Sequence, residues 1–378
     1  MSKAFYIHIP FCKTRCHYCN FISIPAPAPE LRQKFFLFLT NEMEQARKRY
    51  GQLKFDTVYF GGGTPSVLSV QEMTELTSRI HRCFRIAANA EITCEWNPGD
   101  DDSGKIAAFK ALGINRISLG VQSFSDALLT KLGRRHTTHD TFLAIEKIRK
   151  AGIENISFDL MLRIPGQTLN DFQDSLTRAI ELSASQVSLY DLEVHSGTPF
   201  GQMQKEGGLE LPREDEHAAM YQAAIDTLTE AGYEHYEISN FAKPGFASRH
   251  NLIYWHNQEY LGLGPGAFSY LNGARYQFAL DAEHYFRKCE TGEWHNDVQD
   301  KLSEQEKETE SFVTGLRLCE GVCPGKFKKI YPALKEKAED LLSEGLLEIS
   351  EDNIRLTDRG KFLSEEVFGF LLAKESAA

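Results

Sequence analysis

The sequence predicts an α/β protein: a partial (β/α)6 barrel of parallel strands, followed by a small winged-helix-like module at the C-terminus. The first observation behind this is an alternation. Six short apolar or β-branched runs lie at residues 4–8, 55–60, 91–95, 115–120, 154–160 and 185–191, separated by amphipathic stretches at 31–50, 69–84, 103–112, 138–151 and 168–183. Repeated strand–helix units imply parallel strands joined by right-handed crossovers. The second is where the polar motifs fall. In barrels of this kind the chemistry gathers at the C-terminal ends of the strands. Here a cysteine-rich loop follows the first strand, a glycine run ends the second, Glu95 ends the third, Gln122 closes the fourth and Asp159 ends the fifth. The third is that the alternation stops after residue 191.

Residues 1–191 therefore form the expected barrel core, 192–303 an extension and 304–378 the C-terminal module. Pro25-Ala26-Pro27-Ala28-Pro29 reads as a stiff, extended exit from the cysteine loop. The segment 192–212 is loop-like, 213–231 is a long amphipathic helix opening on carboxylates, and 233–300 is rich in aromatic residues and glycine. From about 304 a charged helix, further short helices and a two-stranded turn around Asp352-Asn353 complete the module. Such modules can bind DNA, but acidic side chains here are at least as numerous as basic ones, which favours a packing or lid role.

Composition narrows the class. At 378 residues the chain can bury a large core, and its 42% hydrophobic and 25% charged content is ordinary for a globular protein. A net charge of −11 argues against a general partner of nucleic acid or anionic membranes. No apolar run is long enough to span a bilayer, no secretory signal opens the chain, and eight cysteines without such a signal suggest reduced thiols in the cytoplasm. Cys83, Cys94 and Cys289 read as core residues, and the lone C-x₃-C pair Cys319 and Cys323 as structural.

The chemistry-bearing signal is Cys12-Lys-Thr-Arg-Cys16-His-Tyr-Cys19, a C-x₃-C-x₂-C triplet. Three close thiolates without a fourth suit an iron–sulfur cluster with one iron left open for an exchangeable ligand, whereas clusters usually have four protein ligands. A zinc site completed by His17, or thiols that are simply buried, are the alternatives. The run Gly61-Gly62-Gly63-Thr64-Pro65 at a strand end would let the backbone approach a bound group without Cβ interference. Taken alone, Glu95 reads as a solvated strand end.

The triplet, flanked by Phe5-Tyr6-Ile7-His8-Ile9-Pro10-Phe11 and Asn20-Phe21, and the later Val58-Tyr59-Phe60-Gly61-Gly62-Gly63-Thr64-Pro65 resemble the radical S-adenosylmethionine (SAM) superfamily. Within it the chain is similar to the group around oxygen-independent coproporphyrinogen III oxidase, from Tyr6 to about Phe368. The resemblance implies a [4Fe–4S] cluster on Cys12, Cys16 and Cys19. It also implies SAM contacts from Gly62, Gly63, Thr64, Glu95, Gln122, Arg134 and Asp159, with Tyr6 and Tyr18 beside the cofactor. It implies further that the cluster reduces SAM to methionine and a 5′-deoxyadenosyl radical.

Two departures bear on function. The oxidase carries a fourth cysteine two residues after the triplet, where this chain has Phe21, and it has an N-terminal extension that this chain lacks. Conversely, His250-Asn251-Leu252-Ile253-Tyr254-Trp255 matches the H-N-x-x-Y-W signature of the group's haem-chaperone branch, and His250 is the expected haem ligand, with His195 and His256 as substitutes. Where a histidine often follows the later Gly266-Ala267, this chain has Phe268. The resemblance thus implies a haem-binding chaperone that passes haem to acceptor proteins, with a flavodoxin or ferredoxin as an expected reductant. A radical SAM enzyme acting on a porphyrin, by oxidation or methyl transfer, is the alternative.

Overall fold

Strand β1 (Ala4–Ile9) runs straight into the cysteine loop, which is pinned by a short parallel pairing of β2 (Phe11–Cys12) with β3 (Ile24–Pro25). This computed structural model describes residues 2–100 and 104–373. Met1, residues 101–103 and 374–378, which belong to the first and third expected segments, lie outside the described residues.

Helix α1 (Pro29–Tyr50) begins with proline in its first turn, where a missing N–H costs nothing. Its inward stripe of Phe35, Phe38, Leu39, Met43 and Ala46 follows the helical period, with Glu42 the one charged residue among them. The next units are β4 (Lys54–Gly62), α2 (Val70–Cys83), β5 (Arg85–Trp96), α3 (Lys105–Ala111), β6 (Arg116–Gln122), α4 (Asp126–Lys131), α5 (Thr138–Lys150), β7 (Asn155–Leu162), α6 (Leu169–Glu181) and β8 (Gln186–Asp191). Helices α2, α5 and α6 open on reciprocal capping boxes, Ser69 with Glu72, Thr137 with Asp140 and Thr168 with Asp171. The pairs β1–β4, β4–β5, β5–β6, β6–β7 and β7–β8 are all parallel, giving the expected partial barrel.

The extension lengthens this sheet at both ends. Helices α7 (Pro199–Lys205) and α8 (Glu214–Glu230) lead to β9 (Glu234–Glu237) and β10 (Asn240–Ala242), which continue from β8 in antiparallel fashion. After α9 (Arg249–Trp255), β11 (Tyr260–Leu263) pairs parallel to β1, and β12 (Phe268–Leu271) and β13 (Ala274–Gln277) follow outward. Helix α10 (Ala282–Thr291) precedes the edge strand β14 (Val298–Lys301). Among the described residues the sheet has twelve strands, in the order β14-β13-β12-β11-β1-β4-β5-β6-β7-β8-β10-β9.

Helices α11 (Glu304–Gly315) and α12 (Tyr331–Ser343), the hairpin β15 (Leu347–Ser350) and β16 (Asn353–Leu356), and helices α13 (Asp358–Phe362) and α14 (Ser364–Leu372) pack around a separate core of Phe312, Leu316, Leu334, Leu341, Ile354 and Val367. The main core lies between the sheet and its helices. Strand residues alternate: Val58 and Phe60, Ile117 and Leu119, Ile156 and Phe158, Val187 and Leu189 belong to that core. Their neighbours Thr57, Tyr59, Arg116, Ser118, Ser157, Asp159, Gln186 and Ser188 face the opposite way, so the barrel lumen is polar. Among the described residues no helix is long and apolar enough to cross a membrane.

Candidate cofactor site

Two hydrogen-bonded clusters occupy the C-terminal mouth of the barrel. In the first, the Arg134 guanidinium donates from Nη2 to Asn97 Oδ1 at 2.6 Å and to the Gly120 carbonyl at 2.8 Å, while Nη1 lies 3.6 Å from Cys16 Sγ. Asn97 Nδ2 in turn donates to Thr64 Oγ1 at 3.1 Å, and that hydroxyl lies 3.4 Å from Cys12 Sγ. A continuous polar chain therefore runs Cys16–Arg134–Asn97–Thr64–Cys12. Tyr18 also hydrogen-bonds Arg134, and burial lifts its phenol well above the ordinary range.

Two of the thiols are disfavoured as thiolates in the bare protein. Burial pushes Cys12 up to about 11 and also raises Cys19, and the charge of Cys16 adds to both rises. Bound iron would reverse that balance. Among the described residues no three His, Cys, Asp or Glu side chains converge as ligands of a single ion. Three thiols within electrostatic reach of one another, but not gathered on one point, suit a polynuclear cluster in which each iron takes its own thiolate. His17 does not join them: its Nδ1 is bonded to the Lys131 carbonyl at 2.9 Å and its ring packs over Gly133 and against Phe200. All eight cysteines are free thiols.

In the second cluster, Glu95 accepts from the Gly62 N–H and the Tyr59 hydroxyl, each at 3.1 Å. Burial, then the charge of Asp159, pushes its carboxyl up to about 8. Asp159 accepts from the Ser118 hydroxyl at 3.0 and 3.1 Å, and burial lifts it to about 7 although Arg116 and Arg134 oppose the rise. Glu95 lines a cavity of about 330 Å³ with Tyr6, His8, Gly62, Phe21 and Phe268. Among the described residues no cation pairs with Glu95. A sulfonium or ammonium group would relieve both the desolvation and the carboxylate repulsion, so this pocket fits SAM.

The structure brings together Cys12, Cys16, Tyr18, Thr64 and Arg134, and places Tyr6, Gly62 and Glu95 on one cavity. Gln122 is the last residue of β6, buried and in a left-handed conformation (φ 64°). Its amide and the Arg134 guanidinium both crowd Gly120, where an added Cβ would lie 3.1 Å from each. Three expectations change. Asp159 does not end its strand but sits in the middle of β7, opposite Ser188, and reaches the site from the lumen. The glycine run is tight against the chain's own first two strands: a Cβ on Gly62 would meet the His8 ring at 2.7 Å, and one on Gly63 the Phe11 carbonyl oxygen at 2.8 Å.

The third concerns His250. It lies at the opposite, N-terminal end of the strands, 2% exposed, with Nδ1 bonded to Thr57 Oγ1 and Nε2 to the Tyr254 hydroxyl, both at 2.8 Å. Its backbone N–H is held by Glu91 at 3.0 Å, and its ring lies 4.9 Å from that of Tyr59, tilted by 34°. Burial, then Arg116, drives its pKa down to about 3. Both ring nitrogens are engaged by hydroxyls, and His250 closes the barrel floor. Asn97, Tyr59 and Ser118 were missed in the sequence. Asn97 follows Glu95 in Cys94-Glu95-Trp96-Asn97-Pro98, and the other two are polar residues at inward-facing positions of buried strands.

Fold and site together define a radical SAM protein, a class that carries a [4Fe–4S] cluster and SAM. The radical SAM superfamily pattern matches residues 6–179, and the HemN C-terminal domain pattern matches residues 302–363. The chain is 38% identical to the heme chaperone HemW of Bacillus subtilis, covering 98% of this chain and all of that one. It is 32% identical to the heme chaperone HemW of Mycobacterium tuberculosis, over 97% of this chain and 94% of that one. The mitochondrial radical S-adenosyl methionine domain-containing protein 1 of Bos taurus is 31% identical over 98% of this chain and 87% of its own length. Among solved structures, coproporphyrinogen III oxidase (HemN) from Escherichia coli superposes with a TM-score of 0.85 at 20% identity, covering 98% of this chain and 90% of that one. The chain belongs to the HemW family of the radical SAM superfamily.

Proposed function

We propose that this protein is a haem chaperone: it binds haem and passes it to acceptor proteins, and it carries a SAM-ligated [4Fe–4S] cluster. The observation that carries the reading is similarity to heme chaperones along the whole chain. It is reinforced by Phe21, 66% exposed, at the position where the oxidase has its fourth cysteine. Cys12, Cys16 and Cys19 would hold the cluster, and Glu95, Asp159, Thr64, Gln122, Arg134, Gly62, Gly63, Tyr6 and Tyr18 would surround SAM. When bound, the cluster and SAM supply reductive cleavage of a sulfonium bond.

The chain's own contribution is positional. Arg134 ties the Cys16 loop to Asn97 and Gly120, so the cluster loop is fastened to the ends of β5 and β6. Glu95 and Asp159 offer negative charge in a water-poor pocket to a cationic ligand. Acceptor apoproteins, a flavodoxin- or ferredoxin-type reductant and a cytoplasmic location complete the reading. The test is anaerobic incubation of reconstituted protein with ferric haem and an apo-haemoprotein, and in parallel with reductant, SAM and coproporphyrinogen III. Haem transfer without protoporphyrinogen formation is expected. Protoporphyrinogen formation would instead establish the porphyrin-modifying enzyme.

A further inference from the structure

A second cavity shares no lining residue with the one that holds Glu95. It lies between helix α1, strands β11 to β13 and the segment 294–296, and measures about 280 Å³. That is the lower end of the range for ligand pockets, room for one base and its ribose rather than for a macrocycle or a dinucleotide.

Its walls are aromatic. Trp294 stacks on Phe278 with ring centroids 5.6 Å apart and planes 12° apart, and the rings of Tyr50 and Tyr276 lie 6.0 Å apart. Flat π-faces of this kind hold nucleobases by stacking.

Two polar groups of the cavity are incompletely satisfied. Glu42 is buried, and both of its hydrogen bonds fall on Oε2, from the Tyr285 hydroxyl at 2.9 Å and the Gly264 N–H at 3.0 Å. Among the described residues Oε1 has no donor and no cation pairs with the carboxyl, which burial lifts to about 7. Asn296 lies by the Tyr50 phenol, yet its Nδ2 is buried with no acceptor within hydrogen-bonding distance. An acceptor and a donor in one aromatic slot match the edge of a base that carries an amino group beside a ring nitrogen or a carbonyl.

Positive charge stands at the rim. Lys48 and Arg49 are exposed residues in the last turn of α1, and Arg49 lies over the rings of Tyr50 and Tyr276, 5.4 and 5.1 Å from their centroids. Basic residues in a last turn answer the helix dipole. That these two also line the cavity sets charge where a phosphate joined to the base would emerge.

We propose that this cavity binds a mononucleotide, with the base among the four rings, its amino group on Glu42 and its phosphate on Lys48 and Arg49. The site is separate from the SAM pocket, and the inference does not depend on the haem-chaperone reading. Glu42 also holds Gly264, which packs so closely on β1 that an added Cβ would lie 2.6 Å from the His8 carbonyl oxygen. The cavity therefore abuts the strand that leads to the cysteine loop.

The experiment is calorimetric titration of GMP, AMP and UMP into full-length, cluster-loaded protein with SAM in excess, so that the cofactor pocket is already filled. Wild type, Glu42→Gln and Lys48→Glu are compared, with iron, sulfide and SAM binding checked in each. GMP or AMP should bind wild type at a single site, and more tightly than UMP, whose base has no amino group. Glu42→Gln, an isosteric change, should lower that affinity roughly tenfold or more. Lys48→Glu, on the surface, should weaken the nucleotide and leave the corresponding nucleoside unchanged. No binding of GMP or AMP to wild type, or wild-type affinity in Glu42→Gln, would overturn the site. UMP bound as tightly as GMP and AMP would overturn the amino contact, and unchanged nucleotide affinity in Lys48→Glu would overturn the phosphate placement.

Discussion

Glu95 and Asp159 share the barrel lumen closely enough that the charge of Asp159 adds to the burial that raises Glu95. The protein thus holds two carboxyls with pKa values near 8 and 7 where a cationic ligand is expected. Their ordinary values are 4.5 and 3.8. An acid whose pKa rises on folding favours the folded state while it is protonated. That contribution is full below the ordinary carboxylate range and is lost as pH climbs through the folded value. The melting temperature of ligand-free protein should therefore fall between about pH 5 and 8, and Glu95→Gln should flatten the fall. SAM affinity should run the other way, strengthening as Glu95 ionises, and isothermal titration at several pH values should show a much reduced pH dependence in Glu95→Gln.

Replacing Cys12, Cys16 or Cys19 singly with alanine should abolish the iron–sulfur absorbance and leave sub-stoichiometric iron. Cys83→Ala, a core substitution on α2, should keep a full cluster. Iron and sulfide analysis after anaerobic reconstitution separates the two results.

Arg134→Met should act on both halves of the site. It strands the Asn97 and Gly120 oxygens in part-buried bonds, at a cost of about 1 kcal/mol each. Urea unfolding should report that loss, and SAM binding should weaken even in protein that retains its cluster.

Gly63→Ala would drive a methyl to within 2.8 Å of the Phe11 carbonyl oxygen, next to Cys12. The cysteine loop must shift, so cluster occupancy should drop while far-UV circular dichroism stays that of the wild type.

His250→Ala should behave as a core mutation. It removes a side chain bonded to Thr57 and Tyr254 at the barrel floor, and a loss of about 2–4 kcal/mol in unfolding free energy is expected. Cluster content and the haem spectrum should be those of the wild type.

The barrel was legible because each strand carries its own signal, buried apolar residues such as Ile117, Leu119 and Val121, and because helices such as α2, α5 and α6 open on serine or threonine caps. The cysteine loop was legible because all three of its cysteines lie within eight residues. The surroundings of His250 were not legible because H-N-x-x-Y-W describes only what lies along one short helix. That Thr57, Tyr59 and Glu91 fill the space around its ring is a property of two other strands, far away in the chain. Asp159 was set too near its strand end for a similar reason: the apolar run Leu160-Met161-Leu162 continues the strand, and sequence alone does not say where pairing with β8 stops. The strands of residues 233–300 were missed because each is only three or four residues long, too short to show an alternation.

The pairing of β1 with β11, Ala4 opposite Tyr260 through Ile7 opposite Leu263, has a consequence for synthesis. The strand that delivers the cysteine loop is synthesised before the rest of the sheet, yet one of its two neighbours follows it by some 250 residues. Until residue 263 has emerged, β1 is an unprotected edge, apolar and open to mispairing with other nascent chains. Closing a contact across some 250 residues is also slow relative to forming the local strand–helix units between them. Metal loading in the cell should therefore follow translation of most of the chain, and a truncation ending before β11 should yield aggregating, cluster-free protein even though every cysteine of the triplet is present.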